Sequence, residues 1–186
     1  AMLRQDPDVM MVGEIRDIET AQIAIQSSLT GHLVLSTVHT NSAVGAITRL
    51  RDMGIESFLL SSSLRSIISQ RLVRRLCNSC KVESIPSKEA IRLFNLDHDS
   101  KTFLAEGCAS CSFSGFQGRI AIAECIQIDQ ITRDLIHQKA SEQEIVEHVF
   151  KDQPSIDAAS RELVVNGITS SEEIMRLNNL TQDASL

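Results

Sequence analysis

Four of the five cysteines fall as two Cys-x-x-Cys pairs, Cys77/Cys80 and Cys108/Cys111, with 27 residues between them. Two such knuckles offer four thiolates, the donor set that closes a tetrahedral zinc site and leaves no position for water. A metal held that way is structural, not catalytic. Two independent redox pairs are the alternative, although neither pair opens a clear helix as dithiol redox sites do. An iron–sulfur cluster is a third, more remote option. The second chemical feature is Val9-Met10-Met11-Val12-Gly13-Glu14-Ile15-Arg16-Asp17. An apolar run ends there in a carboxylate and an arginine, at the strand end where open α/β sheets place their ligands. Glu14 is so placed that it orients or deprotonates a water attacking a phosphate, or else it is a solvated turn carboxylate paired with Arg16.

A second apolar run, residues 33–38, ends at His39-Thr40-Asn41. A neutral imidazole at that point can exchange a hydrogen bond with a ligand or with Glu14; the plainer reading is a histidine closing a strand end. Arg4, Arg16 and Arg49 are candidates for charge stabilisation or for ion pairs across a subunit boundary, since guanidinium grips phosphate and carboxylate bidentately. Of these Arg16 comes first, because it shares the Glu14 turn. His32, at the start of the second run, reads as structural, and His98, His137 and His148 belong to no constellation. Cys125 has no sequence partner and reads as a small buried apolar residue.

The elements that must carry these groups follow from the pattern. Residues 9–12 are a short, continuously apolar run and residues 33–38 a mostly apolar one, as expected of parallel strands buried on both faces. Between them Asp17 caps a helix with Ile18, Ala21, Ile25 and Leu29 on one face, and Gly31 stops it. Ser42 caps a second helix, with Ala43, Ala46, Ile47 and Leu50 inward and Gly54 at its end. A third helix is expected from Ser57 to about Ile68, burying Leu60, Leu64, Ile67 and Ile68. The alternation of strands and helices implies an α/β fold with a parallel sheet and right-handed crossovers. Residues 119–124 return to a strand pattern. From Asp129 onward the chain reads as short helices, with capping boxes at Ser141/Glu144 and Ser170/Glu173 and a helix opened by Pro154 and Ser155 and closed by Gly167. The resulting division is 1–76, 77–118, 119–128 and 129–186.

A length of 186 residues suits one domain, or one with a small appendage, and 42% apolar residues suffice for a core. No run is long enough for a membrane span, and no signal peptide is visible, which favours a reducing cytosol over disulfides. The net charge of −6 is uneven: residues 129–186 hold 11 acidic and 5 basic side chains, whereas residues 1–128 hold 13 of each. That balance argues against nucleic acid as a partner. Arg71, Arg74 and Arg75, without interleaved aromatics, fit better a face toward a membrane-embedded partner or a neighbouring subunit.

Several motifs in order tie these features together: residues 3–8 (Leu-Arg-Gln-Asp-Pro-Asp), Gly13-Glu14-Ile15-Arg16-Asp17, Thr30-Gly31-His32, His39-Thr40-Asn41, residues 70–77 (Gln-Arg-Leu-Val-Arg-Arg-Leu-Cys) and Gly115-Phe116-Gln117-Gly118-Arg119. The opening run resembles a Walker B strand, and the whole set resembles the ATPases of bacterial type II secretion and type IV pilus assembly. The resemblance implies a partial RecA-like ATPase core with the Walker B strand and His box in residues 1–76. It also implies a tetracysteine zinc insert in 77–118, a returning core strand in 119–128 and a helical carboxyl-terminal subdomain in 129–186. It implies Glu14, His39 and Arg16 as catalytic residues, and Arg4 and Arg49 at the nucleotide or subunit boundary. Structural zinc on Cys77, Cys80, Cys108 and Cys111, and Mg²⁺ with ATP as cofactors, follow from the same likeness. Gly13 stands where many Walker B strands carry the metal-contacting Asp, as it does in this family. The implied setting is a homo-hexamer in the cytoplasm, held at the inner membrane by a platform protein and cytoplasmic docking proteins. No glycine in the 186 residues is followed by lysine, so the Gly-Lys-Ser or Gly-Lys-Thr phosphate loop is expected elsewhere and this stretch alone is expected to hydrolyse no ATP. Two competing readings are a zinc-ribbon module that only recruits a protein partner, and a retraction-type motor, a class that generally lacks the zinc insert.

Overall fold

The computed structural model describes residues 7–183 of the chain. In order, the elements are β1 (Val9–Val12), α1 (Ile18–Leu29), β2 (Leu33–Ser36), α2 (Ala43–Asp52), α3 (Ser57–Ser63), β3 (Ser66–Leu76), β4 (Lys81–Ser84), α4 (Lys88–Phe94), β5 (Thr102–Ala105), β6 (Phe116–Gln127), α5 (Gln130–His137), α6 (Glu142–Val149), α7 (Ile156–Val165) and α8 (Ser171–Asp183). The fold is α/β, and among the described residues every element from α5 onward is a helix. It divides into two compact units: the residues up to Ser69 with Cys125–Gln153, and Gln70–Glu124 with the residues from Pro154 onward. The short helices after Asp129 are therefore shared between the two units.

In the first unit β1 pairs in parallel with β2, Val9 opposite Leu33 and Val12 opposite Ser36, with α1 as the crossover between them. The Asp17 side chain accepts from the Thr20 N–H at 2.8 Å and starts α1; Gly31, at φ +106°, ends it in a conformation that favours glycine. Ala21, Ala24 and Ile25 pack with Ala43, Val44, Ile47 and Leu50 of α2, Leu60 of α3, and Ile126, Ile136 and Ile145. Ile47 and Leu60 are wholly buried, and each side chain stabilises the unit by about 2 kcal/mol. Arg51 ties α2 to the end of α5, its Nη1 and Nη2 donating to the carbonyls of Ala140 and Ile136, each at 3.0 Å.

Two expectations fail here. β1 and β2 are covered on one face only: Met10 is buried, whereas Val9, Met11, Leu33 and Leu35 are exposed. Among the described residues α1 packs on one side of the pair, so an apolar run that reads as doubly buried has one bare face. The third helix also stops at Ser63 rather than near Ile68. The hydroxyls of Ser61, Ser62 and Ser63 bond back to the carbonyls of Phe58, Phe58 and Leu59, and such bonds compete with continuation of the helix. Leu64 then turns extended, at ψ 134°, and the β-branched pair Ile67-Ile68 enters β3 with Ile67 packed inward and Ile68 exposed.

β3 and β6 form a two-stranded ribbon. Cys77 N–H donates to Gly115 C=O at one end and Ile128 N–H to Arg65 C=O at the other, which makes the pairing antiparallel. Cys125 lies on the exposed side of β6 between buried Glu124 and Ile126; strand alternation turns it outward, contrary to the buried position expected for it.

The second unit has a smaller core of Val73, Ala90, Phe94, Leu96, Ile122, Val164 and Ile174. Within it β4 and β5 pair antiparallel, Lys81 opposite Ala105 and Ser84 opposite Thr102. Gly167, at φ +62°, closes α7; a Cβ there would meet the Phe103 ring at 2.5 Å, so the turn admits glycine on both counts. Ser141 and Glu144 of the first unit form a complete capping box. The equivalent pair in the second unit is only half formed: Ser170 Oγ accepts from Glu173 N–H, while the Glu173 carboxylate turns to two arginines.

Candidate functional site

The turn after β1 is built around an anchored Ile15, whose side chain is buried in the core of the first unit. Its N–H donates to the Thr37 carbonyl at 2.9 Å, and the Thr37 hydroxyl donates to the Gly13 carbonyl at 2.8 Å. Glu14 is thereby held next to the residues that follow β2. His39 Nε2 lies 2.8 Å from Glu14 Oε1 and Arg16 Nη2 lies 2.5 Å from Oε2. The three residues that sequence reasoning placed in one catalytic group thus stand together. Their surroundings differ: the Glu14 side chain is 20% exposed, against 76% for Arg16 and 86% for His39.

The hydrogen bond from Arg16 holds the Glu14 carboxyl below the usual carboxylate range; burial opposes this, and the charges of Arg16 and His39 add to it. The same pair raises Arg16 above its ordinary value. Oε1 is out of contact with solvent, yet no aligned hydrogen bond reaches it among the described residues; the His39 ring approaches it closely without donor geometry. A buried carboxylate oxygen with spare acceptor capacity under an exposed ring suits the orientation of a small polar molecule. A carboxylate made less basic is better suited to orienting water than to keeping its proton.

In the second unit Cys77 follows β3, Cys80 precedes β4, and Cys108 and Cys111 bracket a short 3₁₀ turn after β5. The four sulfurs all lie within 4.8 Å of one another. Cys77 to Cys108 is 4.0 Å, and Cys80 to Cys111 and Cys108 to Cys111 are each 3.8 Å. A tetrahedron with Zn–S bonds of about 2.3 Å has edges of about 3.8 Å, so the cluster is compatible with zinc. The backbone N–H groups of Cys108 and Gly115 donate to Cys111 Sγ at 3.2 and 3.3 Å. The first of these bonds chiefly brings the Cys111 thiol down to about 6, whereas burial pushes Cys80 up to about 12. Gly115, at φ +75°, lets the chain return against Ala105, whose backbone a Cβ would meet at 3.0 Å.

The remaining sequence candidates separate from these centres. Arg4 lies outside the described residues. Arg49 is exposed in the last turn of α2. His32 Nδ1 sits 2.9 Å from the Ser27 carbonyl at the end of α1. Arg74 is exposed yet paired; Nε and Nη2 donate to Glu173 Oε2, and its guanidinium lies 4.0 Å over the Phe116 ring. Arg71 Nη1 donates to Asn178 Oδ1. His148, placed in no constellation by sequence, lies 3.0 Å from Asp129 Oδ2. Sequence reasoning missed Thr37, Glu173 and Asp129 as pairing groups, since all but one of their partners, Arg176 beside Glu173, are distant in the chain or backbone atoms.

A family profile described as "Type II/IV secretion system protein" matches residues 1–176. The chain belongs to that family. It is 54% identical over 179 residues to "Type II secretion system ATPase E" of Vibrio cholerae, covering 95% of this chain and 36% of that protein. It is 52% identical over 179 residues to "Type II secretion system protein E" of Pseudomonas aeruginosa, with the same two shares. Against "Putative type II secretion system protein E" of Escherichia coli, identity is 50% over 186 residues, or 99% of this chain and 38% of that protein. The chain thus spans little more than a third of the length of the curated relatives it matches. Among solved structures, the Legionella pneumophila ATPase DotB superposes with a TM-score of 0.65 at 20% identity, over 96% of this chain and 40% of that one. The Yersinia pseudotuberculosis DotB gives 0.66 at 20% identity, over 95% and 38%. At that identity the likeness shows the fold. Among the described residues no helix is long and apolar enough to cross a membrane.

Proposed function

We propose that the protein to which this chain contributes is an ATP hydrolase that drives type II secretion, with Glu14 as its catalytic carboxylate. The observation that carries this is the meeting of Glu14, Arg16 and His39 at the carboxyl ends of two parallel strands. The names borne by relatives about half identical to the chain favour secretion over pilus assembly. Glu14 orients the attacking water through Oε1; His39, exposed above it, senses the terminal phosphate; Arg16 holds the carboxylate in place and supplies positive charge. ATP with Mg²⁺ would supply the phosphoryl group and neutralise its charge. Arg4 and Arg49 belong to the nucleotide or subunit boundary of a homo-hexamer. Residues 1–76 and 119–128 serve as ATPase core, 77–118 as the metal insert and 129–186 as the helical subdomain.

Cys77, Cys80, Cys108 and Cys111 would hold structural zinc, which crosslinks the insert. The assembly works in the cytoplasm, at the inner membrane through a platform protein and docking proteins, and without nucleic acid. The 186 residues alone hydrolyse no ATP, since they include no Gly-Lys-Ser or Gly-Lys-Thr loop. Glu14→Gln in the full-length protein is expected to lower kcat by about 10² to 10³ with KM little changed. Steady-state ATP hydrolysis that survives the substitution would overturn the assignment.

A further inference from the structure

Thr37 stands just past the last paired residue of β2, where regular strand pairing with β1 has ended. It still grips the Glu14 turn from both sides. Its carbonyl accepts from the N–H of Ile15, the residue after Glu14. Its hydroxyl donates to the carbonyl of Gly13, the residue before Glu14, at 2.8 Å. The two bonds therefore straddle the carboxylate and tie its backbone to the segment that ends, two residues later, in His39. We infer that Thr37 is a positioning residue: its hydroxyl sets the separation between the Glu14 carboxylate and the His39 ring. This rests on the catalytic reading of Glu14.

The local chemistry favours this role over a merely structural one. Thr37 and Gly13 are both exposed, so water takes over the Gly13 carbonyl when the hydroxyl is removed, and little folding stability depends on the bond. Gly13 has no side chain, and a Cβ built on it would touch nothing within 4 Å. Packing therefore does not restrain the peptide before Glu14. On the other side Ile15 is fixed by burial. Loss of the hydroxyl leaves the turn pinned at one end only. A carboxylate that loses even a fraction of an ångström in placement loses rate, because orientation of the attacking group contributes a large part of the acceleration.

The test compares full-length wild type, Thr37→Val, Thr37→Ala, Thr37→Ser and Glu14→Gln by steady-state ATP hydrolysis, thermal melting and hydrogen exchange of peptides spanning residues 13–15. Thr37→Val and Thr37→Ala are expected to lower kcat about tenfold, with KM within about twofold. Melting should stay within about 2 °C of wild type, and exchange across the Glu14 turn should rise about tenfold. Thr37→Ser, which restores the hydroxyl, should recover kcat to within about threefold. If Thr37→Val keeps wild-type kcat while Glu14→Gln is inactive, the positioning role falls and the catalytic site stands. The role falls also if Thr37→Ser is as slow as Thr37→Val. An active Glu14→Gln enzyme overturns the site and the Thr37 inference with it. If Thr37→Val melts early, Thr37→Ala decides; early melting in both, rescued by serine without a separate effect on kcat, makes the residue structural and ends the proposal.

Discussion

The two chemical centres are built in opposite ways. The tetracysteine centre gathers donors that are local in pairs, sits in tight turns and has two of its four sulfurs buried. The Glu14 centre gathers three residues from two strand ends, two of them almost fully exposed. Their units differ correspondingly. Among the described residues the core cluster of the first unit contains 15 buried apolar residues, that of the second seven. The unit with the larger core leaves most of its polar site exposed to solvent, whereas the unit with the smaller core adds several polar links of its own. The Lys81 ammonium donates to the Gly167 carbonyl at 2.9 Å, Leu76 N–H donates to Ile168 C=O at 2.8 Å, and Thr169 Oγ1 donates to the Arg74 carbonyl at 2.8 Å. A small core gives too little apolar burial to offset chain entropy, so staples take over.

Metal removal tests that contrast most severely. Zinc binding by four thiolates contributes on the order of 10 kcal/mol in small domains, more than the seven-residue core is expected to supply in surplus. The purified chain should contain one zinc per molecule by elemental analysis. A strong chelator, or Cys108→Ser, should make the amides of Val73 and Ile122 exchange freely, while those of Ile47 and Leu60 keep their protection. Equal loss in both units would end the distinction. Retained protection of Val73 without metal would show that the second core suffices alone.

How legible each centre was in the sequence follows from the same contrast. The cysteine centre could be read because its knuckle spacing is its geometry: Cys77/Cys80 and Cys108/Cys111 arrive as pairs, and only the closing of the two pairs needs the fold. The Glu14 turn could be read as far as its motifs go; Asp17, Ser42 and Ser141 announced helix starts through side-chain caps that act within four residues, and Gly31 and Gly167 announced helix stops through a left-handed backbone. What escaped depends on the neighbours. The bare face of β1 and β2 is invisible in an apolar run, because strand length and hydrophobicity do not say how many layers pack on it. The switch from α3 to β3 was hidden because residues 64–68 keep a helical apolar spacing, while the serines at 61–63 compete with the helix and the β-branched Ile67 and Ile68 favour extension. Glu173 looked like half of a capping box, but a guanidinium 99 residues away in the sequence outcompetes a backbone N–H for the carboxylate.

Glu173 supplies the next test. Its side chain is 1% exposed, and burial by itself raises its carboxyl; hydrogen bonds from Arg74 and Arg176 prevail and bring it down to about 2. Glu173 Oε1 also accepts from the Arg74 N–H at 3.2 Å. Replacement by Gln leaves two guanidinium groups without their anion and is expected to destabilise the second unit by about 3 kcal/mol at neutral pH with zinc bound. Arg176→Ala, which keeps Arg74 in place, should cost only about 1 kcal/mol, since Arg176 is half exposed. Urea unfolding followed by exchange at Val73 and Ile122 measures both. A Glu173→Gln effect below about 0.5 kcal/mol would mean that metal alone fastens the unit.

The smallest effect is expected in the first unit, where core packing leaves polar pairs little to do. Asp129 caps α5, with Oδ1 accepting from the Thr132 N–H at 2.7 Å, and Oδ2 lies 3.0 Å from His148 Nε2. The Thr132 N–H chiefly, with His148 assisting, brings the carboxyl down to about 2 against some burial. The folded value is thus below the unfolded one of about 3.9. The stabilisation is therefore complete above about pH 5, shrinks as pH falls through the unfolded value, and is nearly gone by about pH 2. Because the side chain is 52% exposed, solvent screening limits the contribution to that of an ordinary cap, about 1 kcal/mol. Asp129→Ala should lower stability by that amount at pH 7, read from the exchange of Ile47 and Leu60, and the gap from wild type should close as the solution approaches pH 2. A gap that persists unchanged at pH 2 would assign the effect to the lost side-chain bulk and remove the carboxylate from the account.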